Sequence, residues 1–228
     1  MSDAAPAGDL KLRRFMCRPP IRKPAEALRW GLPQSDDPHE VRAYKNRNAA
    51  HFERGYRTFE RAYRYGIPTL TGSLWSRVHR LDGSVVDLGL VSMRVVTNNG
   101  VGFIVDAWQN TQELETMRYH GLGTGTNAEA QTDVGLQTEL TTQYATAGDI
   151  RQQGSITESA QNVFQSVATI TVDAAVAITE WGLFSTSARG AGNTTTNVMF
   201  DRAVFAAVNL ASGESLEQTY SLTFPAGG

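Results

Sequence analysis

The sequence predicts a mainly β protein: an antiparallel β-sandwich, jelly-roll-like body preceded by an extended basic arm and one amphipathic α-helix. Three observations carry this expectation. AITEWGLFS, at residues 177–185, gathers β-favouring apolar residues around one glycine and has strand-like runs on either side, at 163–172 and 203–210. The pair Asp82 and Gly83 and the triplet Asn98, Asn99 and Gly100 are turn signals between apolar runs. Before Thr69 the texture differs, with prolines scattered through the first 37 residues and then arginines and aromatics at helical spacing. The expected division is an arm over 1–37, a helix over 38–68 and a sandwich over 69–228.

At 228 residues the chain is long enough for one large β domain, and 41% apolar against 19% charged residues suits a folded body. No apolar run reaches the roughly 20 residues of a membrane-spanning helix. The N-terminal stretch, with Asp3 and Asp9, lacks the apolar core of a secretion signal, so a cytoplasmic origin and no membrane partner are expected. Cys17 is the only cysteine, which excludes an intrachain disulfide and a cysteine-based zinc site. The four histidines are scattered, and no metal or cofactor is expected. The net charge of −2 hides an asymmetry: residues 1–66 hold 14 Lys or Arg against 8 Asp or Glu, and the remainder 7 against 15. A basic arm on an acidic body results.

In the arm, Pro6, Pro19, Pro20, Pro24 and Pro33 interrupt regular structure, because proline removes a donor and restricts the residue before it. The segment reads as extended, either a solvated tail or an arm laid along a partner. For the second reading, Arg13, Arg14, Phe15, Arg18, Arg22, Lys23, Arg29 and Trp30 supply charges and anchors, and the body is expected to stay folded without residues 1–37. Asp37, Pro38 and Glu40 form an N-cap, N1, N3 signal for a helix that runs to about Tyr65 and is stopped by Gly66 and Pro68. Val41, Tyr44, Phe52, Tyr56, Phe59 and Tyr63 fall on one stripe among arginines, and Tyr44, Phe52, Tyr56 and Phe59 join the expected partner surface. Arginine interleaved with aromatics also suits nucleic acid. An apolar stripe with a solvated basic face is the commoner arrangement, so nucleic acid is not the expected partner.

Residues 74–81 and 85–96 read as a hairpin, with 101–108 as the third strand of a meander. A helical turn is expected at 133–136 and an exposed threonine-rich strand at 138–146. Further strands follow at 163–172, 177–185, 198–210 and 216–224, with 163–172 and 203–210 flanking the central run in one sheet system. Leu216, Tyr220, Leu222 and Phe224 share one face of the last strand, which suits an edge or outer position.

GLGTGTN at 121–127 lacks the lysine of a phosphate loop and the third glycine of a dinucleotide fingerprint. Gly121, Gly123 and Gly125 are instead expected to permit close backbone approach, beside a satisfied or exposed His120. Trp181 next to Gly182 suggests a large ring packed where backbone comes near. Two carboxylate pairs, Glu113 with Glu115 and Asp106 with Glu180, are of the kind that cleaves glycans when held about 5–9 Å apart. No nucleophile elbow or Cys–His couple accompanies them, and no catalytic residue is assigned.

Four segments, VDLGLVSMRVVTNNGVGFIVDAWQN from Val86, YHGLGTGTNAEAQTDVGLQTELTTQY from Tyr119, VDAAVAITEWGLFS from Val172 and FDRAVFAAVNLASGESLEQTYSLTFPAGG from Phe200, together resemble a family of tailed-bacteriophage virion structural proteins over about residues 74–228. Where members of that family carry histidine after the ITE of the central strand, this chain has Trp181. The resemblance implies a virion component, with no catalytic residues to carry over. Within a virion, a lysine-poor β body without cysteines and with a long basic arm suits a capsid decoration or cement protein, partnered by the major capsid protein and by copies of itself, a trimer among the options. A tail, fibre or baseplate protein is the alternative, and a glycan depolymerase the third. The arm and helix before Thr69 lie outside the resemblance.

Overall fold

Among the residues described by the computed structural model, 18–190, 193–194 and 197–224, ten strands pair antiparallel into two five-stranded sheets. The first sheet has the order β2 (Val85–Val95), β1 (Thr71–His79), β10 (Ser215–Thr223), β6 (Val163–Thr171), β5 (Ser155–Ala160). The second has the order β4 (Gln152–Gln153), β3 (Tyr119–Gly123), β7 (Val176–Phe184), β9 (Asn197–Leu210), β8 (Asn193–Thr194). Their facing sides bury Leu74, Ile170, Leu216 and Tyr220 from the first sheet against Leu122, Trp181, Leu183 and Phe205 from the second. The protein is a mainly β antiparallel sandwich, as the alternating patterns predict.

The β1–β2 hairpin closes at Asp82 and Gly83. Gly83 has φ 81°, and the Asp82 carboxylate accepts from Ser84 N at 2.8 Å. The central run and its expected neighbour at 163–172 do not share a sheet. β6 pairs with β10 and β5, whereas β7 pairs with β3 and β9. Each of the two strands has one apolar face, and placing them in opposite sheets buries both faces against each other. β10 is a central strand, not an edge. Its outward Thr219 and Ser221 are buried because the N-terminal segment covers that face.

That segment corrects the extended-arm expectation. Helix α1 (Pro24–Gly31) forms within it. Pro24 starts the helix instead of breaking it, and the Glu26 carboxylate accepts from Arg22 N and Lys23 N. Helix α2 (His39–Arg64) ends where the glycine and proline signals place its end. It begins one step later than expected. Asp37 does not cap it, and its carboxylate instead accepts from Gln34 N and from Lys45 Nζ at 3.0 Å. Both helices lie over the outer side of the first sheet. There Ile21, Ala27, Phe52, Tyr56, Trp75, Leu90 and Met93 form a second apolar core. Burying one such ring stabilises the fold by roughly 2–3 kcal/mol, so residues 18–37 are part of the body and their removal exposes core.

Residues 101–108 are not a strand. They belong to helix α3 (Asn98–Trp108), whose N-cap Thr97 accepts from Gly100 N at 3.0 Å and donates to the Met199 and Phe200 carbonyls. Gly100, Phe103 and Ile104 then fall on one buried face at helical spacing. Residues 133–136 form no helical turn. Residues 138–146 are irregular, touching the sheets through single bridges at Glu139 and Tyr144, and they bury Leu140 and Tyr144.

Candidate functional site

The chemistry-bearing residues concentrate on β7 and its neighbours. The Glu180 side chain leaves the outer face of the second sheet and is fully buried there by the 121–140 segment. Its Oε1 accepts from Gly125 N at 3.0 Å and Thr138 N at 2.7 Å. Its Oε2 accepts from Gln137 N at 3.0 Å and from Arg202 Nε and Nη2 at 2.9 and 2.8 Å. One carboxylate therefore ties three amides of an irregular loop and a buried guanidinium to the sheet. The glycines are explained by the same group: a Cβ on Gly123 or Gly125 would lie 2.5 Å from Glu180 Oε1. Gly121 and Gly182 pair across β3 and β7, and a Cβ on Gly182 would stand 2.8 Å from the Phe184 ring.

On the inner side, His120 bridges the two sheets. Trp181 Nε1 donates to His120 Nδ1 at 3.1 Å, which leaves Nε2 to carry the proton and donate to Ser166 Oγ at 2.8 Å. Burial pushes the His120 pKa down to about 3. Trp181 stacks on Tyr220 with centroids 5.2 Å apart, so the large ring fills the space between sheets. Nearby, Asp201 accepts from the Tyr220 hydroxyl at 3.0 Å and from Arg202 N at 2.8 Å. Its pKa is raised to about 6 by burial. The nearest cation, Arg94, is 3.7 Å away and lies closer to Glu129, at 3.0 Å.

Of the two carboxylate pairs, only Glu180 is buried. Glu180 is saturated within its loop, and Asp106 sits exposed on α3. Glu113 and Glu115 are exposed beside the short 3₁₀ turn Leu114–Thr116. Among the described residues no group of three or more His, Cys, Asp or Glu gathers to hold a metal, and no helix is long and apolar enough to cross a membrane.

The expected partner surface is divided. Arg13, Arg14 and Phe15 lie outside the described residues. Arg18 turns inward, bonding both Asp87 oxygens at 2.8 and 2.9 Å with its guanidinium 5.0 Å from the Trp75 centroid. Tyr44, Phe52 and Tyr56 are buried and Phe59 partly so, which makes them core side chains instead of partner contacts. Arg22, Lys23, Arg29 and Trp30 remain exposed, with Trp30 edge-on to Trp75 at 5.7 Å.

The sequence reading missed Arg202, Asp201 and Arg151 as interior residues. Arg151 is fully buried, paired to Glu139 at 2.6 Å and set against the Phe184 ring. A signal was present: Asp201 and Arg202 interrupt the apolar run of β9, and Glu180 interrupts that of β7. Opposite charges inside two apolar strands point to a buried pair. No protein-family model, curated protein or solved structure matches this chain.

Proposed function

We propose that the chain is a structural component of a tailed-phage virion, a decoration protein that binds the assembled capsid lattice and raises its stability. One observation carries the reading: five polar side chains at the heart of the sandwich are committed to structural bonds. Glu180, Arg202, His120, Asp201 and Tyr220 spend their hydrogen-bonding capacity fastening a loop to a sheet and one sheet to the other. A body held together in this way suits a load-carrying role. The four-segment resemblance supports the virion context.

In this reading the stretch before Arg18, with Arg13, Arg14 and Phe15, carries attachment together with the exposed Arg22, Lys23 and Arg29. A protein that binds the lattice better than its loose subunits stabilises the lattice by mass action, and many copies multiply a modest contact. The test is co-sedimentation with expanded capsids of the full chain and of a chain lacking residues 1–17, a cut that spares the second core. Loss of binding with an unchanged melting temperature is expected, and normal binding by the shortened chain overturns the attachment role. Electron microscopy of labelled particles locates the protein, and density in the tail would replace decoration by a tail role.

A further inference from the structure

The cations of this chain gather on one face of α2. The helix holds seven Lys or Arg against three Glu, as many cations as all of residues 67–228, where fifteen Asp or Glu outnumber them. At about 100° per residue, Arg47, Arg54, Arg57, Arg61 and Arg64 fall within an arc of about 100°, and all five are exposed. The opposite side carries Val41, Tyr44, Phe52 and Tyr56 into the interior. Along the axis the five arginines span about 25 Å. Arg57 and Arg64 hold Glu53 and Glu60 one turn back, at 3.0 and 3.2 Å, with the arginine side chains 73% and 69% exposed. Exposed helix pairs of this kind are worth roughly 0.3–0.5 kcal/mol, so a stronger anion displaces the glutamates readily. Arg54 reaches Glu129 at 3.3 Å.

We propose that this face binds duplex nucleic acid through its phosphates, without reading its bases. The inference stands apart from the virion reading. Arg47 and Arg61 lie about 21 Å apart along the axis, too far for one small anion to meet both, so the ligand is an extended polyanion. Between Arg47 and Arg64 the arc carries no apolar side chain larger than that of Ala50, whereas a protein interface has an apolar centre inside its polar rim. Binding to a bilayer requires a free apolar helix face, and the apolar face of α2 is buried. Tyr44, Phe52 and Tyr56, which interleave with the arginines in sequence, point into the core. They are not placed to stack on the bases of a single strand. A straight row of guanidinium groups suits a stiff duplex, which offers about one charge per 1.7 Å of its axis. Each guanidinium can grip a phosphate through two parallel bonds.

The experiment is fluorescence anisotropy of a labelled DNA duplex of about two helical turns, titrated with the full chain at several sodium chloride concentrations. Five neutralised phosphates give a slope of about −4.5 in log K against log salt, or roughly a 500-fold loss of affinity from about 50 to about 200 mM. Arg57→Gln/Arg61→Gln/Arg64→Gln should weaken binding at about 50 mM at least about 100-fold and shrink the slope by about 3. Arg57→Lys/Arg61→Lys/Arg64→Lys should keep the slope, because the number of phosphates neutralised is unchanged. Arg13→Gln/Arg14→Gln should weaken binding far less than the Gln variant of α2. Both α2 variants should melt within about 2 °C of the wild type, since only exposed pairs are lost. No binding at about 50 mM, a slope that the Gln variant leaves unchanged, or a Lys variant as weak as the Gln variant overturns the proposal. So does a greater loss from the Arg13 and Arg14 change than from the change in α2, or displacement of the duplex by polyglutamate or polygalacturonate at a lower concentration of charge.

Discussion

Replacing Glu180 by Gln keeps the shape of the side chain and removes one acceptor oxygen, which makes it a direct test of the carboxylate that fastens the loop. If the amide nitrogen takes the place of Oε1, Gly125 N and Thr138 N face a donor. If it takes the place of Oε2, Gln137 N and two Arg202 nitrogens do. Each lost bond to a charged group is worth roughly 1.5–3 kcal/mol, and breaking one side of a buried ion pair costs roughly 3–5 kcal/mol. Partial relaxation of the loop keeps the total near the second figure. For a chain of this size that loss lowers the melting temperature by roughly 6–20 °C. Urea unfolding followed by tryptophan fluorescence reads the free energy. Hydrogen exchange should speed up at the Gly125, Gln137 and Thr138 amides while β10 stays protected. Adding Arg202→Met to Glu180→Gln should recover part of the loss, because the orphaned cation is removed. A loss under about 1 kcal/mol with those three amides still protected would refute the reasoning.

Gly125→Ala places a Cβ 2.5 Å from Glu180 Oε1 and 2.6 Å from Gln137 Cβ, and should cost roughly 1–3 kcal/mol in urea unfolding. Gly102→Ala in α3, which meets nothing within 4 Å, should gain roughly 0.5–1 kcal/mol. Asp201 and His120 should give pH dependences of opposite sign. Asp201 has a folded pKa raised from 3.8 to about 6, so the folded chain holds a proton the unfolded chain has released. Its contribution to stability grows as pH falls through 6 toward 4, and the advantage of wild type over Asp201→Asn should grow likewise. His120 is lowered from 6.5 to about 3, so only the unfolded chain takes up a proton on acidification. Its contribution is complete above pH 6.5 and shrinks below it, and the advantage of wild type over His120→Gln should shrink with it. Unfolding curves at several pH values check both, and slopes of the same sign would contradict the assigned burial.

The residues themselves determined whatever depends on near neighbours. The alternation of Leu216, Tyr220 and Leu222 gave β10 its inward face, Asp82 and Gly83 gave the first hairpin, and Gly66 with Pro68 ended α2, since periodicity and backbone torsion act within a few positions. The mainly β character was legible for the same reason. Tertiary structure decided the rest. An apolar run of eight residues satisfies either a strand or a helix, and the carbonyls of Met199 and Phe200, about a hundred positions away, hold the Thr97 cap that settles residues 98–108 as α3. The prolines of the N-terminal segment read as extended until Trp75, Leu90 and Met93 supply a surface on which α1 can fold. Glu180 looked like a possible acid and proved to be a fastening, because a carboxylate's role is set by the donors that meet it, and those come from loop residues and from a neighbouring strand that only the closed sandwich brings within 3 Å.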